Sequence, residues 1–473
     1  MVRIVVLFGM VLLAGLLGCP GSGWAQSALP RFETVEEGAP FPVEVSGPRY
    51  QRGFLVVAQS DHPDDELELR LPVVIVRART PVPGLAPVVF LPGGPGVGGL
   101  SAAQYPGAYP WSAERDFVIF GRRGTRYAVP SLQCEAIGPA LVSRKPGAQS
   151  RLEQAIADCQ SALEAQGVRR EAYNTVASAS DLEALRTVLG YEQWSLFALS
   201  YGTRLALTYA REYPGRVQSM VLDSPLPHGV HFDDAYPAHL EAALRRVAQM
   251  CAESPDCDAA YPDLEERFFA AIEAAPRQCG EDRVCQREIV NSVPLSSASD
   301  LQRAPRLMDE ATRLETGDEG VGYASDFDWG VRLSVWCSEA LPYAQRRNGP
   351  LPDSFAGLDS ATFTPETCAL WDVSVRPEAE IEPTVSSAPA LILAGELDAL
   401  TPPAWGYQAT QGLERSRVIT LPAGFHTETT NWDGDGCALS LAARFFSSSD
   451  EMLEETGPPA CVEARSAPEF ERR

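Results

Sequence analysis

Three residues in this chain have the types and spacing needed for acyl transfer: Ser200, Asp398 and His426. A serine hydroxyl is a weak nucleophile by itself. It attacks a carbonyl when an imidazole takes its proton and a carboxylate holds that imidazole in the correct tautomer. Ser200 lies in Ala198-Leu199-Ser200-Tyr201-Gly202, a small-x-Ser-x-Gly stretch between the apolar run Trp194–Leu199 and a helical pattern over Thr203–Tyr213. On such a strand-to-helix turn the hydroxyl stands exposed above the end of a sheet. The histidines are His62, His228, His231, His239 and His426. In the chain order serine, acid, histidine, His426 fits: it lies far downstream and follows the strand pattern Arg417–Leu421 through Pro422-Ala423-Gly424-Phe425. The acid belongs after the preceding strand, where Glu396 and Asp398 both stand. Asp398, just before the helix start Thr401-Pro402-Pro403, is the choice. Glu396 is expected to brace the loop, and Asp223, after Val217–Leu222, is the reserve.

An acyl-transfer site also needs donors for the oxyanion. Leu91-Pro92-Gly93-Gly94-Pro95-Gly96 ends an apolar strand, and the N–H groups of Gly94 and Tyr201 are the expected pair. A phosphate loop does not fit, because no Gly-Lys-Ser/Thr follows.

These residues need a frame. Phe54–Ala58 and Leu67–Arg79 read as a β-hairpin around the turn-rich Asp61–Asp65, with Leu67, Leu69, Leu71, Val73 and Ile75 alternating. Pro87–Leu91 and Phe117–Phe120 read as buried parallel strands. A helix over Ser180–Leu189, capped by Ser178 or Ser180 and stopped by Gly190, leads to Trp194–Leu199, and a helix over Thr203–Tyr213 leads to Val217–Leu222. That alternation predicts βαβ units in a parallel sheet. Between Pro225 and Val385 helical patterns dominate, among them His239–Cys251 and Leu264–Ala275. Strand and helix then alternate again: Ala390–Ala394, Ala404–Leu413, Arg417–Leu421, Cys437–Phe446. Beyond Ala464 the charged tail is expected to be loose.

With 63 acidic against 39 basic residues the net charge is −24, which argues against nucleic acid or an anionic membrane surface as partner. Arg3 followed by the apolar run Ile4–Leu17 reads as a secretory leader. Two cleavages remain open: before Cys19, in a lipobox-like Leu16-Leu17-Gly18-Cys19, or after Gly23-Trp24-Ala25. Either predicts export, to the periplasm, to the outer membrane as a lipoprotein, or to the medium; contact with a membrane would run only through a lipid at Cys19. Ten further cysteines form an even set, read as disulfides in successive pairs: Cys134–Cys159, Cys251–Cys257, Cys279–Cys285, Cys337–Cys368 and Cys437–Cys461. Spacing does not settle that connectivity. Zinc is disfavoured, since no Cys-x-x-Cys is present. His62-Pro63-Asp64-Asp65-Glu66 resembles the metal-binding start of sugar deacetylases, but it opens an alternating strand instead of a helix.

Gly93-Gly94-Pro95-Gly96, Arg123-Gly124-Thr125, Ser200-Tyr201-Gly202-Thr203-Arg204, Gly395-Glu396-Leu397-Asp398 and Gly424-Phe425-His426 occur in this order. Together the set resembles the prolyl iminopeptidase and tripeptidyl aminopeptidase group of α/β-hydrolases. The resemblance implies an α/β-hydrolase core, a mostly parallel sheet with helices on both faces, in residues 30–225 and 386–450. It implies a mostly helical lid inserted at 226–385; the leader itself reads as 1–25 (1–18 for a lipoprotein), and 451–473 with Cys461 as a tail. It further implies a serine peptidase acting on peptides with a free N-terminus, without a cofactor. Such a substrate carries a cationic amine, for which Glu339 in Val335-Trp336-Cys337-Ser338-Glu339 is the expected carboxylate. The chain departs from the group at Pro92, where histidine is usual. It departs again at Gly121-Arg122-Arg123-Gly124-Thr125-Arg126, where a carboxylate is lost and arginines are gained, changing the expected charge near the cleft. The rivals are a secreted esterase or lipase on the same core, and a non-catalytic binding protein. The complete Ser200, Asp398 and His426 set weighs against the latter.

Overall fold

The computed structural model describes residues 29–141, 147–230, 232–280, 292–312, 327–344 and 364–471. The expected leader with Cys19, His231, and the expected Cys279–Cys285 pair lie outside the described residues or side chains.

Nine strands form one sheet in the order β1-β2-β3-β5-β4-β6-β7-β8-β9. The central strands β4 (Val88–Leu91), β5 (Phe117–Phe120) and β6 (Trp194–Leu199) are buried along their whole length, as their unbroken apolar runs require. β7 (Val217–Asp223), β8 (Ala390–Gly395) and β9 (Ser416–Leu421) extend the parallel part. β2 (Tyr50–Ala58) and β3 (Glu68–Val76) make the expected antiparallel hairpin, Ala58 opposite Glu68. The edge strand β1 (Arg31–Val35), with only partly buried residues, carries too weak a pattern to be read in advance.

β4 pairs with β5 on one side and β6 on the other, both parallel. The chain leaves β4 toward one neighbour and returns to the opposite one. A crevice opens at such a switch point beyond the carboxyl ends of the strands, where Leu91-Pro92-Gly93-Gly94 and Ser200 both stand.

The helix before β6 spans Thr175–Leu189, beginning earlier than Ser178 or Ser180 suggested. The Asn174 side chain caps it, accepting from the Ala177 N–H, and Gly190 ends it in the left-handed conformation. Between β7 and β8 the described elements are helical, including Phe232–Glu253, Leu264–Cys279, Ala298–Ala311 and Trp329–Val335. Their apolar cluster of Leu244, Val247, Phe268, Ile272, Leu301 and Met308 also takes in Leu397, Ala399, Ala423 and Phe425. The loops carrying Asp398 and His426 are thus packed against the inserted helices.

Disulfides join Cys134–Cys159, Cys251–Cys257, Cys337–Cys368 and Cys437–Cys461, the successive pairing among the described cysteines. The segment after Ala464 is not loose, in contrast to the expectation from its charge. Arg465 is ion-paired to Glu428 and Asp435, and the Glu471 N–H donates to the Gln302 carbonyl at 2.9 Å.

Arg123 carries another tie. Its guanidinium meets Asp181 through two bonds of 2.7 Å and donates to the carbonyls of Gln59 and Ala172, with both side chains at most 5 % exposed. Asp181→Asn would leave that cation without its anion, and should lower unfolding free energy by about 3–5 kcal/mol, measured by denaturant titration.

Candidate active site

Ser200 follows β6 directly and precedes the helix Tyr201–Glu212 with φ 51° and ψ −124°, a conformation seldom adopted by a residue with a side chain. The turn is as sharp as it is because the helix starts directly over β4. A Cβ on Gly202 would lie 1.9 Å from the Leu91 carbonyl oxygen, so glycine is obligatory there. At Ala198, buried within the sheet between Leu91 and Leu222, a methyl group is accommodated. The Gly93 loop passes directly beside the nucleophile, since a Cβ on Gly93 would be 3.0 Å from Ser200 Cβ and 3.5 Å from its Oγ. Gly94 has φ +110°, open to glycine. The Tyr201 N–H, in the first turn, has no acceptor within its own helix.

Asp398 and His426 meet. His426 Nδ1 lies 2.9 Å and 3.1 Å from the two Asp398 oxygens. Asp398 also accepts from the N–H groups of Leu400 and Thr401, both at 2.9 Å, and from the Thr401 hydroxyl at 2.7 Å. That hydroxyl is itself 3.1 Å from His426 Nδ1. Thr401, unmarked in the sequence beyond its place at a helix start, therefore fixes both partners. Asp223, the reserve acid, accepts from the N–H and hydroxyl of Thr429 at 2.8 and 2.5 Å, and its neighbour Ser224 accepts from the Thr427 N–H. These two hold the histidine loop from below. Glu396 braces it from the side, accepting from the Ala423 N–H at 2.8 Å while taking Arg246 on its other oxygen.

Burial disfavours the imidazolium of His426, but the charge and hydrogen bond of Asp398, with Asp223 adding to them, raise its pKa above the ordinary 6.5. Burial pushes the Asp398 carboxyl up; the His426 charge and hydrogen bond and the Thr401 donors outweigh that and hold it below its ordinary value. Asp223, with burial dominant, is pushed up to about 6.

Ser200 and His426 open on one cavity of about 760 Å³. Gly93 and Gly94 line it, together with an apolar wall that includes Phe90, Tyr109, Leu226, Phe327 and Trp432. One expectation is corrected here. Glu339 is not among the described lining residues. It is buried and accepts from the N–H and hydroxyl of Thr175, both at 2.5 Å, at the start of the Thr175–Leu189 helix. Of the two arginines expected to change the charge near the cleft, neither is among the described lining residues, and Arg122 stands directly behind the glycine loop that lines it. Arg123 is consumed by Asp181, while Arg122 is buried, donates to the carbonyls of Gly93 (2.7 Å) and Val97 (3.1 Å), and lies over the Tyr201 ring. Arg122 thus holds the glycine loop from behind, a role hidden in the sequence because no local pattern announces a contact made across strands. Of the other histidines, His62 sits in the exposed Asp61–Asp65 turn, His228 meets Thr208 at 2.9 Å, and His239 packs edge-on to Trp405.

The alpha/beta hydrolase fold family matches residues 86–266, and the family described as TAP-like protein matches residues 356–452. The chain has the α/β-hydrolase fold. Among curated proteins, serine protease Hip1 of Mycobacterium tuberculosis is 26% identical over 271 residues, 51% of this chain and 50% of that protein. The chain therefore spans about half the length of that relative. Tripeptidyl aminopeptidase of Streptomyces coelicolor is 23% identical over 387 residues, covering 72% and 71% of the two chains. Among solved structures, a proline iminopeptidase of Mycobacterium smegmatis is 14% identical with a TM-score of 0.38, covering 85% of this chain and 100% of that chain.

Proposed function

We propose that this α/β-hydrolase is a serine peptidase that releases residues or short peptides from free N-termini through an acyl-enzyme on Ser200. The observation that carries the reading is the Asp398–His426 pair at 2.9 Å, opening on the same cavity as a serine held at positive φ. In the forward step His426 Nε2 takes the Ser200 proton as Oγ attacks the scissile carbonyl. The N–H groups of Gly94 and Tyr201 receive the oxyanion. The imidazolium then protonates the leaving amine, and water, deprotonated by the same imidazole, releases the acyl group. No step calls for a cofactor. The resemblance to tripeptidyl aminopeptidase supports the choice of peptides with a free N-terminus as substrates. The chain's net charge of −24 supports no nucleic acid partner. Export is part of the proposal. It is supported by the Arg3 and Ile4–Leu17 leader pattern and by the disulfides, and a lipid on Cys19 would be the membrane contact.

One observation favours a second reading, an esterase on the same core. Among the described lining residues there is no carboxylate, and Arg332 is the cation. Tripeptidyl p-nitroanilides with free and acetylated N-termini, run beside p-nitrophenyl esters, separate the two. Anilide turnover that requires the free amine is expected; ester turnover with both anilides untouched would establish the esterase.

A further inference from the structure

His426 sits in a loop that the backbone alone would not hold. Ala423 and Thr427, on either side of it, have φ of 51° and 60° without being glycines. Left-handed conformations of this kind persist where surrounding contacts over-determine them. Glu396 holds the Ala423 N–H, and Ser224 and Asp223 hold Thr427 and Thr429. The residue immediately before the histidine has a different anchor. The Phe425 N–H donates to Glu428 Oε1 at 2.7 Å, and the other oxygen of Glu428 takes Arg465 at 2.8 Å. This ion pair is buried, with 10% exposure for Arg465 and 2% for Glu428.

Arg465 comes from the far end of the chain. It lies just after the helix Ala460–Glu463, and Cys461 in that helix is bonded to Cys437. Arg465 Nε also meets Asp435 at 3.1 Å, and Asp435 in turn accepts from the Cys437 N–H at 2.9 Å. The ring closes on itself: disulfide, short helix, guanidinium, two carboxylates, histidine loop. A few residues on, the Tyr261 hydroxyl donates to the Glu471 carbonyl and Phe470 packs on the apolar cluster of the inserted helices, so the segment is pinned beyond Arg465 as well.

We infer that Arg465 is a positioning residue for the histidine loop, acting through Glu428, with the Cys437–Cys461 disulfide keeping it in place. With Arg465 neutralised, Glu428 becomes a buried carboxylate with no cation. It regains solvation by turning outward, and its bond to the Phe425 N–H weakens. The imidazole then drifts from the line to Ser200 Oγ. The inference rests on Ser200 and His426 acting as nucleophile and base.

The test uses the full disulfide-bonded chain and a fluorophosphonate probe, with kinact and KI measured separately for wild type, Arg465→Met, Arg465→Lys, Glu428→Gln and Ser200→Ala. Arg465→Met is expected to lower kinact by about tenfold or more, the scale set by small misplacements of catalytic groups, with KI unchanged. Arg465→Lys should recover part of that loss, a recovery that general destabilisation would not produce. Wild-type kinact in Arg465→Met, with labelling lost in Ser200→Ala, overturns the inference alone. Labelling that persists in Ser200→Ala overturns the nucleophile reading and the inference with it. Should Arg465→Met not fold, Glu428→Gln decides. Its neutral amide no longer attracts the guanidinium and accepts more weakly from the Phe425 N–H, so reduced kinact is expected and a wild-type value overturns the inference.

Discussion

Ser200→Ala is expected to eliminate fluorophosphonate labelling and to reduce kcat by about 10⁶-fold, as removal of a triad serine does elsewhere. The size of the effect follows from what remains. Without Oγ there is no acyl-enzyme, and the Gly94 and Tyr201 donors can only polarise a carbonyl for attack by unassisted water. The fold should not notice. The Ser200 side chain makes no capping hydrogen bond to its helix, and alanine occupies the same backbone conformation. Unfolding free energy should therefore stay within about 0.5 kcal/mol of wild type. A mutant that retains labelling would remove Ser200 from the chemistry.

Asp398→Asn should lower kcat by about 10⁴-fold and also move the pH dependence. His426 must be neutral to act as base, so kcat/KM rises with pH along a limb governed by its pKa in the free enzyme. Burial alone would pull that pKa down. In the wild type Asp398 reverses the sign, and the limb is expected to lie above 6.5. Asparagine carries no charge to oppose the burial, so the limb of the residual activity should shift to lower pH. Stability changes with it. A histidine whose folded pKa is raised stabilises the fold fully below its unfolded value, and that contribution fades as pH rises through the folded value. Thermal unfolding followed across the neutral range should show that loss in the wild type and its absence in Asp398→Asn. A limb unmoved by the substitution would mean that Asp223, and not Asp398, sets the imidazole.

Some of this architecture is legible because it is local. β6, the turn at Ser200 and the helix after it follow from an apolar run, a small-x-Ser-x-Gly stretch and a helical pattern within about twenty residues. β8 with Asp398, and β9 with His426, follow from the same alternation. Other parts left no local trace. β1 is an edge strand whose residues are half solvated, so it shows neither a buried run nor a clean alternation. The start of the Thr175 helix was misplaced because Ser178 and Ser180 are also good caps. The choice fell to Asn174, which reaches the Ala177 N–H, while Glu339, from a distant element, accepts from the Thr175 N–H.

Glu339 shows why residue type and neighbourhood do not locate a functional carboxylate. In sequence it is an acid two residues after a cysteine. In the folded chain it lies under the sheet-end crevice, tied to Thr175 and facing the Arg204 charge, and not on the cavity. Arg122 and Arg123 make the same point in reverse. Adjacent in sequence, they point to different places: one to the glycine loop, the other to Asp181.

The sequence by itself determined the strand-and-helix alternation, the chain order of Ser200, the carboxylates after β8 and His426, and the even set of cysteines, because each depends on residue type and short-range spacing. The tertiary structure alone decided which carboxylate meets the imidazole, that Thr401 bonds both partners, that Arg122 backs the Gly93 loop, and that Arg465 reaches Glu428 from 37 residues away. Those contacts join segments far apart in the chain. Their energies depend on burial and on angles that exist only once the sheet has brought the loops to one edge.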